Sequence, residues 1–331
     1  MDYFTCIDSI HKKGFELTAL EVFKFQYNQV PVYQEFCNLL NKSPENVSQL
    51  TELPFLPISL FKQYEIKNTK FSSFSKVFTS SGTTSSRPSQ HFIPKIEEYE
   101  ANFKMNFEHF YGPMQDYVIL GLLPSYLERS GSSLIYMVNH MINQSQFNES
   151  GFFLNNYDEL LATLMAVSKQ GKKCLLIGVS FALLEFAENY SQELHQLDLS
   201  NLILMETGGM KGKRKEIIRE ELHQQLKFGF GKSGIASEYG MTEMLSQSYA
   251  IKNGVFECPP SLQFMLRDTE DPLSYVKETK VGGINFIDLA NVSSLSFVAT
   301  QDLGKQISSN TYEVLGRFDH SDIRGCNLMM M

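Results

Sequence analysis

The chain has 331 residues, 43% of them hydrophobic and 20% charged, which is the composition of a folded globular protein with a sizeable core. Its net charge of −8 argues against nucleic acid as an obligate partner, because phosphate binding needs a basic face. Five cysteines without a C-x-x-C pair exclude a disulfide framework and a zinc cluster. The absence of an apolar leader or of about 18 consecutive apolar residues leads us to expect a cytoplasmic protein without a membrane span.

In chain order, residues up to about 65 read as mostly helical. Apolar residues recur at helical spacing from Glu16 to Leu40, and Pro31 interrupts them, which predicts two helices with a break. Leu53-Pro54-Phe55-Leu56-Pro57 is too rich in proline for a regular element and is expected to be an extended, docked connector. Val77 and Phe78 read as the end of a short strand. They lead into Thr79-Ser80-Ser81-Gly82-Thr83-Thr84-Ser85-Ser86-Arg87-Pro88, a run of hydroxyls and one glycine ending in a cation. Such a loop offers backbone and hydroxyl donors to a polyphosphate, although it lacks the G-x-x-x-x-G-K-[ST] spacing. By composition alone it reads equally as a solvated linker.

A helix is predicted from about Pro94 to Tyr111, with Glu97 and Glu98 in its first turn. Strands at Tyr117–Pro124, Lys173–Val179 and Asn201–Glu206 then alternate with helices at Leu134–Ile142, Phe181–Tyr190 and Lys211–Leu226. Continuous apolar strands alternating with helices predict a layered α/β fold with a largely parallel sheet. Beyond about residue 250, short strands such as Val281–Leu289, Leu295–Ala299 and Tyr312–Leu315 predict an antiparallel sheet or barrel packed on the first unit. The expected organisation is a helical region over 1–76, an α/β nucleotide-binding body over 77–250, and a smaller β-rich subdomain with a short tail over 251–331.

Three further segments carry chemistry besides the hydroxyl loop. Glu206-Thr207-Gly208-Gly209 ends a strand in two glycines, against which a flat ligand can lie; a plain tight turn is the alternative. Ser237-Glu238-Tyr239-Gly240-Met241-Thr242-Glu243 offers an accessible aromatic face, a hydroxyl for a phosphate oxygen, and a carboxylate suited to Mg²⁺. Asp302, read at a strand end, is placed to grip ribose hydroxyls, or else to cap its own turn. His91, His109 and His140 read as packed or surface histidines.

Taken together and in order, these segments with Gly316-Arg317-Phe318-Asp319 resemble the signature series of the adenylate-forming enzymes over about residues 77–320. Within that superfamily the chain is most similar to the acyl-protein synthetases, typified by the luciferin-component ligase of bacterial luminescence operons. Leu122-Leu123-Pro124-Ser125-Tyr126-Leu127-Glu128-Arg129, Gly131-Ser132-Ser133-Leu134, Glu238–Glu243 and Arg324-Gly325-Cys326-Asn327 carry this likeness.

The resemblance implies a ligase that activates a carboxylic acid with ATP and Mg²⁺ and passes the acyl group to a thiol. Ser80, Ser81, Gly82, Thr83 and Thr84 would cradle phosphates; Gly208, Gly209 and Tyr239 would line the adenine. Thr242 would contact the α-phosphate, Glu243 would hold Mg²⁺, and Asp302 and Arg317 would position the ribose. Cys326, beside Arg324 near the chain's end, would carry the acyl group as a thioester; a tail cysteine without a role is the alternative. An acyl carrier protein, reductase or transferase subunit would be donor or acceptor. Because the sequence stops soon after Arg317, the chain is expected to depart from the superfamily in lacking the lid domain and its lysine. A different reading is therefore an acyltransferase or acyl-binding subunit that has lost adenylation.

Overall fold

The structure, a computed structural model, describes residues 1–80, 87–123, 131–154, 156–208, 217–276 and 279–317. It opens with helices α1 (Tyr3–Lys13), α2 (Phe15–Gln29) and α3 (Pro31–Leu39). Asp2 caps α1 by accepting from the Thr5 N–H at 2.9 Å. Pro31 takes the first position of α3, where a missing N–H costs nothing. The break between α2 and α3 therefore falls where the proline predicted it.

The connector carries strand β1 (Leu56–Pro57), and a hairpin follows, β2 (Lys76–Thr79) and β3 (Gln90–Ile93). Next come α4 (Ile96–Tyr111), β4 (Val118–Leu122), α5 (Ser133–Gln144), β5 (Gly151–Phe153), α6 (Tyr157–Lys169), β6 (Cys174–Gly178), α7 (Ser180–Leu194) and β7 (Leu202–Glu206). The chain continues through α8 (Arg219–Phe230), β8 (Ala236–Tyr239), β9 (Ser248–Ala250), β10 (Val255–Glu257), β11 (Leu262–Arg267), β12 (Val281–Asp288), β13 (Phe297–Ser308) and β14 (Thr311–Arg317).

Twelve strands form one sheet in the order β11-β12-β13-β14-β10-β9-β8-β7-β6-β4-β5, with β1 adding to β13. The run β5, β4, β6, β7, β8 is parallel, and every residue of β4 and β6 is buried, as continuous apolar strands under helices require. The fold is thus the layered α/β arrangement with a β-rich C-terminal part. The antiparallel strands do not form a separate barrel, however. They continue the same sheet through the antiparallel β8–β9 and β9–β10 pairs.

Several boundaries differ from expectation. The proline-rich connector docks by edge pairing, Leu56 and Pro57 lying opposite Val298 and Ala299. Helix α8 starts at Arg219, with Ile218 extended before it; the start expected at Lys211 lies outside the described residues. Glu97 and Glu98 do lie in the first turn of α4, but Glu98 is buried, and its carboxyl is pushed up by that burial. Asp302 stands inside the long strand β13, opposite Arg317, and not at a strand end. No helix of the described residues is long and apolar enough to cross a membrane.

The N-terminal helices pack on the segment just before β13. The Gln26 amide donates to the carbonyls of Asn291 and Val292, both at 3.0 Å, and accepts from the Ser296 N–H at 3.0 Å. Around it Phe23, Tyr33 and Phe297 stack in a buried aromatic cluster. Burying such a side chain contributes about 1.5–3 kcal/mol. The segment held in this way is the one that reaches the candidate site.

Candidate active site

Strand β8 extends through Tyr239, so the ring lies on a covered sheet face, edge-on to Phe256 and Phe264. It is 9% exposed, in place of the open aromatic face expected from the Tyr-Gly pair. Its hydroxyl donates to Asp302 Oδ2 at 2.7 Å. The β13–β14 register sets Asp302 opposite Arg317, whose Nε is 3.8 Å from Oδ1. Behind this pair, the buried Arg267 guanidinium donates to the Thr300 carbonyl, two residues before Asp302. One carboxylate thus faces a phenol, an exposed cation and a buried one.

The turn after β8 brings Thr242 and Glu243 alongside the hairpin. His91 of β3 holds its Nδ1 2.7 Å from the Thr242 carbonyl oxygen, to which it can only donate. Its Nε2 is 3.0 Å from the side-chain amide of Asn291, whose nitrogen donates to the Glu243 carbonyl at 2.8 Å. Burial pushes His91 down to about 4, against both contacts. Asp288, fully buried, accepts from the N–H groups of Leu245 and Ser246 at 2.8 and 2.9 Å and fixes the following turn.

Glu243 is 5% exposed, and burial pushes its carboxyl up; Ser89 and the fields of Arg317 and Lys62 pull the other way. Ser80 closes the mouth of the hairpin loop, accepting from the Ser89 N–H at 2.9 Å through its hydroxyl. The hairpin base is pinned from a second side by the Thr79 N–H, which donates to the Gly131 carbonyl at 2.8 Å, just ahead of α5.

Gly208 follows β7 with φ +73°, a conformation that favours glycine, and nothing lies within 4 Å of where a Cβ would stand. Its N–H donates to Glu206 Oε2 at 2.7 Å. Glu206 is 1% exposed. Burial raises its pKa, but His223, the Arg219 guanidinium, Ser237 and the Gly208 N–H outweigh that and hold it at about 2. Arg219 Nε is 3.3 Å from Glu206 Oε1, its Nη1 donates to the Val314 carbonyl of β14, and its guanidinium lies over the Phe256 ring. The glycine turn is thereby tied to the strand that carries Arg317.

Of the residues singled out from sequence, Ser80, Gly208, Tyr239, Thr242, Glu243, Asp302 and Arg317 are among the described residues and take part in these contacts or adjoin residues that do. Ser81, Gly82, Thr83, Thr84, Gly209 and Cys326 lie outside the described residues. Sequence reading missed His91, Asn291, Arg219 and His223. His91 alone carried a signal, sitting between the apolar pair Phe92-Ile93 and the loop as the return strand of a hairpin. Among the described residues no three His, Cys, Asp or Glu cluster as a metal site. A single buried carboxylate suits Mg²⁺, which takes its other ligands from phosphate and water.

No protein-family model matches the chain, and no curated protein resembles it in sequence. Solved structures do resemble it. One is a 2-hydroxyisobutyryl-CoA ligase in an open conformation with 2-HIB-AMP and CoA, at TM-score 0.66 and 12% identity over 91% of this chain and 73% of that one. The same ligase in its thioesterification state matches at 0.66 and 13% identity, over 91% and 67%. Apo MatB from Rhodopseudomonas palustris matches at 0.51 and 15% identity, over 73% of this chain and 47% of that chain. At these identities the likeness is one of fold alone.

Proposed function

We propose that the chain activates a carboxylic acid with ATP, forming an acyl-adenylate, and passes the acyl group to a thiol. The observation that carries this reading is the chain of contacts from the hairpin base through Thr242-Glu243 and Tyr239–Asp302–Arg317 to the Gly208 turn. Each link lies on a fold shared with a 2-hydroxyisobutyryl-CoA ligase whose structure holds 2-HIB-AMP and CoA.

In the first step a substrate carboxylate oxygen attacks the α-phosphorus of ATP and pyrophosphate leaves. In the second a thiolate attacks the acyl carbonyl and AMP leaves. The hairpin loop with Ser80, Ser81, Gly82, Thr83 and Thr84 holds phosphate oxygens. Thr242, its backbone fixed by His91, takes an α-phosphate oxygen through its hydroxyl. Gly208 and Gly209 give adenine a surface without side chains. Asp302 grips the ribose hydroxyls, oriented by Tyr239 and balanced by Arg317. Glu243 is the residue that would hold Mg²⁺, which when bound neutralises charge building on the phosphates. Cys326 is the acceptor thiol that the acyl-protein synthetase likeness favours, with a carrier protein, reductase or transferase subunit as partner.

The test is acid-dependent ATP–pyrophosphate exchange over a panel of carboxylic acids, with Glu243→Gln as control. Exchange is expected with at least one acid and is lost in the variant; equal exchange by both proteins refutes the assignment of Glu243. Intact mass after incubation with ATP and that acid is expected to show an acyl adduct that Cys326→Ser abolishes.

A further inference from the structure

The nucleotide reading leaves one acid unused. Glu238 is half-buried, and among the described residues no cation and no hydrogen-bond donor reaches its carboxyl. Register fixes its direction. Glu238 pairs with Tyr249, so their side chains share a sheet face, and Tyr249 packs on Phe107, Phe110 and Tyr111 of α4. Gln247 lies two residues before Tyr249 and is 3% exposed; its Nε2 donates to the Leu245 carbonyl, and its Oε1 has no partner. The two side chains meet over Gly240, where a Cβ would fall 2.5 Å from Glu238 Oε1 and 3.6 Å from Gln247 Cγ.

Helix α4 adds to the set. Asn102 donates to the same Leu245 oxygen at 2.9 Å, and one turn further along Asn106 is fully buried with neither amide atom partnered. On the other side, the Tyr99 hydroxyl donates to the Ser133 carbonyl at the head of α5. The set therefore sits between the hairpin base and the Thr242 turn, at the carboxyl ends of the parallel strands, where ligands enter such sheets. A buried acceptor without a donor costs about 1–3 kcal/mol. Here the Glu238 carboxyl and the unpartnered Gln247 Oε1 share one face, where an incoming N–H donor would serve both, while Asn106 on α4 lacks partners for both of its amide atoms.

We propose that Glu238, with Gln247 beside it, recognises an ammonium group, so that the acid activated by this chain is an amino acid. This rests on the acid-activation reading and names its substrate class. Burial and the charge of Glu206 push the Glu238 carboxyl up to about 8. A resident lysine or arginine would hold it down, whereas a carboxyl awaiting a cationic ligand ionises when that ligand arrives. The other titratable groups facing it are Tyr99 from α4 and Tyr249 from β9, both also raised by burial and by the Glu238 charge.

The experiment is pyrophosphate exchange with matched acids: alanine, β-alanine and 6-aminohexanoate against propionate and hexanoate. One aminated acid is expected to exceed its plain counterpart in kcat/KM on the order of a hundredfold or more. Glu238→Gln and Gln247→Met are each expected to bring that ratio down towards one, with thermal unfolding recorded to show that both fold. Plain acids turned over as well as their aminated counterparts would overturn the inference and leave acid activation standing, as would a preference that survives in both variants. No exchange with any acid, together with no ATP binding by calorimetry, would overturn the activation reading and this one with it.

Discussion

Removing the charge of Glu206 tests how the glycine turn is held. The carboxyl is 1% exposed and held at about 2, against an ordinary value of 4.5, by groups that overcome its burial. A depression of about 2.5 units corresponds to about 3 kcal/mol of stability. The sign follows from the direction of the shift: this contribution is complete above pH 4.5 and is lost as pH falls through about 2. Glu206→Gln keeps an oxygen for the Gly208 N–H but removes the counter-charge of the Arg219 guanidinium, a loss of similar size, about 3–5 kcal/mol for a broken buried pair. Glu206→Ala removes the turn bond as well and is expected to cost about 1 kcal/mol more. Denaturant unfolding of the three proteins between pH 7 and pH 3 measures this. The gap between wild type and Glu206→Gln should be largest at pH 7 and shrink on acidification. A gap below about 1 kcal/mol at pH 7, or one that does not change with pH, would refute the account of this network.

Three further outcomes are expected. Gly131→Ala places a Cβ 2.1 Å from Thr79 Oγ1, so it should destabilise by about 1–3 kcal/mol and slow exchange, with partial recovery on adding Thr79→Ala. Tyr239→Phe withdraws the donor from Asp302 Oδ2, which should cost about 1 kcal/mol and raise the KM for ATP more than that for the acid. The raised Glu238 carboxyl stabilises below pH 4.5 and loses that contribution as pH rises through about 8. Denaturation should therefore find Glu238→Gln gaining on wild type between pH 5 and pH 9, by about 2 kcal/mol after allowance for its partial exposure.

The sequence by itself determined the layered α/β fold, because apolar runs without alternation, such as Val118–Leu122 and Cys174–Gly178, are stable only in a sheet covered on both faces. It also singled out candidate turn residues such as Gly208 after β7, since a glycine after a strand is a local signal, although it read Asp302 at a strand end where the structure has it inside β13. Pairing across the sheet was not legible in it. Only the tertiary structure set Asp302 opposite Arg317, buried the ring of Tyr239, and brought His91 to Thr242 and Arg219 to Glu206, contacts 151 and 13 residues apart. The physical reason is that a buried charge takes its partner from whatever the fold places beside it. Residue type announces that Glu206 can be a carboxylate. Only the cation, the imidazole and the backbone N–H gathered around it keep it one, and among the described residues none of these stands by Glu238, where we place a ligand.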